Sequence, residues 1–177
     1  MLGNWNTRLE VVWSSEEKAA LDAAVLLTQR SEHASYVSDV LHFLYQHSGA
    51  HVVMICHRTP VPGEMKILQI LFQGKPYPTQ ATYPLAGTPC ANVSRHGVLY
   101  FDSGVKDRFP LDIYLGEYGI ESYFGAPLLN ASDELVGVVA LQHQKSLPNP
   151  HFLELLLTIL SPSLEAVLEK VSSPTTA

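Results

Sequence analysis

Two cysteines, eight histidines and eight tyrosines are the side chains of this 177-residue chain best able to do chemistry, and their spacing sorts them. Cys56 and Cys90 are too few for a disulfide framework, so each reads as a small buried hydrophobe in a reducing compartment. His51 and His57 bracket one apolar run and His143 ends another, which lets a sheet bring them near each other. His42 and His47 are five apart and leave a helix in different directions. No His-x-x-x-His pair on a helix face supports a metal, and no nucleophile lies at a defensible spacing from a base. The expectation is therefore no catalytic residue, no metal and no turnover.

The tyrosines are more suggestive. Tyr77, Tyr83, Tyr100, Tyr114, Tyr118 and Tyr123 fall on one loop, a short strand, a middle helix and the strand after it. A phenol has an apolar body and a polar tip, which suits a pocket for an amphipathic small molecule. Ser94, Arg95 and His96 add polar anchors, Arg95 being the cation that an anionic group would meet. The candidate ligand-binding set is Tyr83, Cys90, Arg95, Tyr100, Tyr114, Tyr118 and Tyr123. The competing reading is that the same rings simply fill core.

Periodicity supplies the elements that must carry these groups. Leu2, Trp5, Leu9 and Val12 have helical spacing, weakened by Gly3 and two asparagines. Ser14 and Glu17 form a capping box ahead of a helix over about 15–30. Val37, Val40, Leu41 and Leu44 share one face of a second helix, with Ser35 to cap it and Gly49 to close it. His51–His57 and Met65–Phe72 read as an antiparallel hairpin around Pro60–Gly63. Residues 74–97 read as a long Gly/Pro-rich loop, uncommon in a compact domain unless it has a task. Val98–Phe101 is a short strand, and Pro110 opens a helix with Leu111, Tyr114, Leu115 and Tyr118 on one face. Ser122–Leu129 and Leu135–Gln142 are strands. The last helix starts at Asn149-Pro150, with a seam at Leu153, Leu156, Leu160, Leu164, Val167 and Val171 and a break expected near Pro162. Leu155, Leu157 and Ile159 lie off that seam and suggest a surface for a second copy.

This order predicts an α+β fold. A central antiparallel β-sheet carries the terminal helices on one face, and a loop plus short helix on the other, where a cavity is expected. Residues 1–34 form an N-terminal helical segment, 35–171 the main domain and 172–177 a disordered tail. A content of 46 % hydrophobic and 16 % charged residues is globular rather than disordered. A formal charge of −6 argues against nucleic acid, whose phosphates need lysine and arginine. No apolar run approaches the roughly 18 residues of a membrane span, and Met1–Asn6 lacks the parts of a signal peptide. Cytoplasmic residence is expected.

Three short stretches, Gly87-Thr-Pro-Cys90, Tyr123-Phe-Gly-Ala-Pro-Leu128 and Gly137-Val-Val-Ala-Leu141, resemble the GAF domain in order and spacing. The resemblance runs from about Ser35 to Val171 and is closest to the sensory type of bacterial signalling proteins. It implies recognition of a small molecule, cofactor unknown, and homodimerisation through terminal helices. The effector would be a histidine kinase, diguanylate cyclase or transcription regulator, attached or separate. Gly125 and Gly137 should admit close approach to the sheet, and Pro127 should sit at a bulge or unpaired position. The stretches that accompany bilin or cyclic-nucleotide binding in this family are absent, and Cys90 is followed by Ala91. The alternatives are a ligand-free dimerisation module with a filled pocket, or a Cys90-dependent enzyme of the methionine sulfoxide reductase type.

Overall fold

The computed structural model describes residues 12–172. The expectations for 2–11 and for 173–177 lie outside the described residues. Seven strands form one antiparallel sheet: β1 (Val52–Arg58), β2 (Glu64–Phe72), β3 (Lys75–Pro76), β4 (Thr82–Pro84), β5 (Leu99–Phe101), β6 (Ser122–Leu129) and β7 (Leu135–His143). Their spatial order is β3-β2-β1-β7-β6-β5, with β4 beside β2. The helices are α1 (Ser15–Thr28), α2 (Tyr36–Ser48), α3 (Pro89–His96), α4 (Val105–Arg108), α5 (Ile113–Glu117) and α6 (Pro150–Ser172).

Strand alternation divides the interior into two layers. Val53 and Ile55 of β1, Phe124, Ala126 and Leu128 of β6, and Val139 and Leu141 of β7 face α1, α2 and α6. The intervening Val52, Met54, Cys56, Tyr123, Val138 and Ala140 face α3, α4 and α5. This is the expected two-faced architecture.

The terminal helices follow their patterns. Ser14 and Glu17 make the capping box, with Glu17 N–H donating to Ser14 Oγ at 3.0 Å and Ser14 N–H to Glu17 Oε2 at 2.9 Å. Replacing Ser14 by Ala should cost about 1 kcal/mol. Thermal melts read that as a loss of roughly 2–4 °C for a domain of this size. Val37, Val40, Leu41 and Leu44 of α2 are all buried, and Gly49 closes the helix in the left-handed region at φ 73°. Ser35 does not cap the backbone; its hydroxyl donates to Asp39 Oδ2 at 3.0 Å.

Three expectations are corrected. The long loop over 74–97 contains β3, β4 and an eight-residue helix, α3, entered from an extended Thr88 with Pro89 in its first turn. Proline there fits because the first-turn N–H has no helical partner. The helix expected to open at Pro110 begins only at Ile113, as the short α5, and a separate short helix, α4, precedes the proline. Leu111 and Tyr114 are therefore exposed while Leu115 is buried. Pro162 does not break α6, which runs unbroken from Pro150 to Ser172. The proline is exposed, and the hydroxyls of Ser161 and Ser163 donate to the carbonyls of Leu157 and Leu160 beside it.

By length and composition alone, Pro150–Val171 could cross a bilayer, contrary to the sequence reading. Its Leu153, Leu156, Leu157, Leu160, Leu164 and Leu168 are instead buried on the sheet. Leu157 thus belongs to the core and not to a spare surface, while Leu155 and Ile159 stay half-buried.

Candidate functional site

The face of the sheet under α3, α4 and α5 gathers the unusual side chains. Cys56 points to this face because it alternates with Val52 and Met54 along β1, opposite Ile67 of β2 and Val138 of β7. Cys90 enters from the first turn of α3, and Tyr123 rises from β6. Tyr83 comes over from β4, whose register places it against Met65.

These four form one contact group. The Tyr83 hydroxyl donates to Cys90 Sγ at 3.6 Å, and Cys90 Sγ lies 3.3 Å from the Tyr123 hydroxyl. Tyr83 and Cys56 are also close enough to influence each other electrostatically. Cys56 is 0 % exposed, Cys90 3 % and Tyr123 0 %. Burial pushes both thiols and both phenols up from their ordinary values, so all four stay protonated and neutral. The Asp112 carboxyl, ahead of α5, is likewise raised by burial. A thiol held protonated in apolar surroundings is a poor nucleophile and a poor metal ligand. The group therefore suits hydrogen bonding to a neutral or amphipathic partner better than covalent chemistry.

Gly125 exists to make this packing possible. A Cβ there would come within 2.6 Å of the Tyr123 hydroxyl and of Val93 Cγ2. Pro127 stands one residue before the β6–β7 irregularity at Leu128/Leu129, where β5, whose pairing reaches no further than Gly125, no longer covers the edge.

The sequence-predicted set does not converge on one cavity. Tyr83, Cys90 and Tyr123 meet. Tyr114 is exposed and stacks on Tyr118 at 6.5 Å, while half-buried Tyr118, 5.2 Å from Phe72, packs at the margin of this layer. Tyr100 lies on the opposite face, packed on the helix layer, and its hydroxyl donates to Leu147 O at 3.0 Å. The reason is the two-residue period of β5: Leu99 and Phe101 face α3–α5, so Tyr100 cannot. Arg95 is exposed on α3. Sequence reading leaves Cys56 out of the candidate set. Its position in alternation with Val52 and Met54, on the strand next to β7, was the signal.

Beneath α3–α5, Val93, Val105, Leu115 and Ile120 interdigitate with Met54, Met65, Val138 and Ala140. Two open grooves lie elsewhere. One of about 430 Å³ runs along Leu68–Leu71 of β2 beneath Pro76–Gln80, and one of about 390 Å³ lies between α1 and α2. Among the described residues no group of three or more metal-ligating side chains is found.

Comparison with known proteins agrees with this architecture. The chromophore-binding domain of an unusual bacteriophytochrome from R. palustris superposes with a TM-score of 0.68 at 12 % identity, covering 93 % of this chain and 64 % of that one. This chain thus spans somewhat under two thirds of that relative. The phycoerythrobilin-bound GAF domain of a cyanobacterial phytochrome gives a TM-score of 0.62 at 16 % identity, over 91 % of this chain and 98 % of that one. Its phycocyanobilin-bound counterpart from a cyanobacterial phytochrome gives 0.63 at 16 %, over 90 % and 96 %. At such identities the likeness is one of fold. No curated protein matches the sequence. The family model for the GAF domain matches residues 17–168, and the chain belongs to the GAF domain family.

Proposed function

We propose that this chain is a sensory GAF domain that binds a small molecule and reports through a homodimer to an attached or separate effector. The observation that carries the reading is the uncharged group of buried Tyr123, Cys56 and Cys90 with half-buried Tyr83 under α3–α5, in a chain that matches the family along nearly its whole length. Hydroxyls and thiols in an apolar wall favour a small, partly aromatic or amphipathic molecule over a highly charged one. Bilins fill two of the structural neighbours, but the stretch that accompanies bilin in this family is missing here. The protonated thiols weigh against a Cys90-dependent enzyme. A ligand difference of roughly 1–3 kcal/mol between two packing states would suffice to signal.

A second reading has its own support. The interdigitated side chains under α3–α5 favour a filled interaction module that sets dimer geometry. Both readings use an intermolecular seam on the terminal helices, where Val25 and Leu26 of α1 are 49 % and 64 % exposed.

Native mass spectrometry of freshly purified protein separates them. The expected result is a dimer mass with a retained small molecule; a ligand-free dimer hands the function to the interaction module. Leu26→Asp should weaken the dimer at least about tenfold, the effect of some 1.4 kcal/mol, and leave the melting temperature of the folded monomer unchanged. A strictly monomeric wild type in light scattering at tens of micromolar would sink both readings.

A further inference from the structure

His51 and His143 face each other across the β1–β7 pairing, one step beyond Val52 and Gln142, with ring centroids 3.9 Å apart and planes inclined by 32°. His143 Nδ1 accepts the Lys145 backbone N–H at 2.7 Å. In that bond Nδ1 must be unprotonated, so the neutral ring carries its proton on Nε2. His51 Nδ1 is buried without a hydrogen-bond partner.

The chain that leaves this pair leads straight to α6. Lys145 is followed by Leu147, buried and hydrogen-bonded to Tyr100, and by Pro148, which packs on Gly49 at the end of α2. Asn149 then starts α6, and Phe152 in its first turn meets the Trp13 ring at 6.2 Å.

We propose that the His51–His143 pair is a pH-sensitive latch: neutral, it pins the 145–149 segment that sets the start of α6, and proton uptake releases that segment. A proton on His143 Nδ1 removes the acceptor for Lys145 N–H and leaves two donors face to face at 2.7 Å. It also puts a cation against the His51 ring. Among the described residues no negative charge facing the pair compensates. Lys145 is itself a cation; Glu121 gives its backbone N–H to the His143 carbonyl at 2.9 Å but turns its carboxylate to Lys106 and the Gly104 N–H. In the last turn of α2, His47 stacks on Phe43. Gln144, between His143 and Lys145, is engaged with the Tyr118 carbonyl. Among the described residues no carboxylate is hydrogen-bonded to either ring.

Burial first, then the charges of His51 and Lys145, hold the His143 imidazole below its ordinary value, against a smaller opposing pull from the Lys145 backbone. The unfolded chain therefore takes up the proton first. The latch's contribution is complete above the ordinary histidine range and fades as pH falls through about 6.5 toward the lower folded value.

The test follows Trp13 emission and thermal melts in a Trp5→Phe background, with and without His143→Asn, whose Oδ1 takes the place of Nδ1 and does not titrate. Between about pH 7.5 and pH 5.5, spanning the histidine range, the parent should shift its emission to longer wavelength and lose about 3 °C or more. The Asn variant should keep its emission and lose less than half as much. Equal pH dependence in both overturns the latch. If His143→Asn does not fold, NMR titration of the wild type decides: a Lys145 amide signal that moves in step with protonation of the His143 ring supports the proposal, and an amide that does not respond refutes it.

Discussion

Gly137→Ala is expected to lower the stability of this domain by about 3 kcal/mol, at the upper end of overpacking penalties. A Cβ at Gly137 would lie 2.4 Å from the Cys56 carbonyl oxygen and 2.6 Å from Leu168 Cδ1. Leu168 could turn away; the carbonyl cannot. Cys56 sits in β1, which is paired on one side with β2 and on the other with β7. Moving that carbonyl means moving the centre of the sheet. The shift would also be felt on the opposite face, because the Cys56 side chain belongs to the thiol–phenol group with Tyr83 and Cys90. Thermal denaturation should show a melting temperature lower by roughly 6–12 °C. Gly116→Ala is the control: its Cβ would meet nothing within 4 Å, and in a helix alanine is favoured over glycine. A Gly137→Ala protein as stable as wild type would mean that β1 and β7 are less closely apposed than this register requires.

The fold was legible wherever one element buries one face. The three- and four-residue intervals of α2 and α6 and the apolar runs of β1, β2, β6 and β7 each carry a period that burial enforces. Gly125 and Gly137 were also legible, as places where something comes close. What stayed hidden lies on the roofed face. α3 is eight residues long, too short for a period to emerge, and its entry through Thr88-Pro89 looks like a turn until its burial is known. Tyr100 and Tyr123 read as walls of one pocket because both are tyrosines on strands flanking the middle helix. Strand alternation sends Tyr100 to the helix layer, and only the pairing of Tyr100 with Phe124, one residue past Tyr123, reveals it. The link between Cys56 and Cys90 depends on β1 lying beside β7 in the middle of the sheet, a long-range fact that no local pattern encodes.

Leu156→Ala should cost about 3–4 kcal/mol, combining lost transfer energy with the cavity left behind. Leu156 is 0 % exposed and sits among Leu153, Leu157 and Leu160 in the layer shared by α1, α2 and the sheet. The same helix carries half-buried Leu155 and Ile159, and its partner α1 carries exposed Val25 and Leu26, so two energies are superimposed on one pair of helices. Mutation can pull them apart. Leu156→Ala acts on the interior, so chemical denaturation should show its midpoint moving down with the slope unchanged. The fraction that remains folded should dimerise with wild-type affinity. Leu26→Asp acts on the surface and should do the reverse. If Leu156→Ala instead abolishes association in protein that is still folded, core and seam are coupled through α6. A rearrangement of the sheet face would then reach a partner through the position of that helix, without any residue of the seam touching the site.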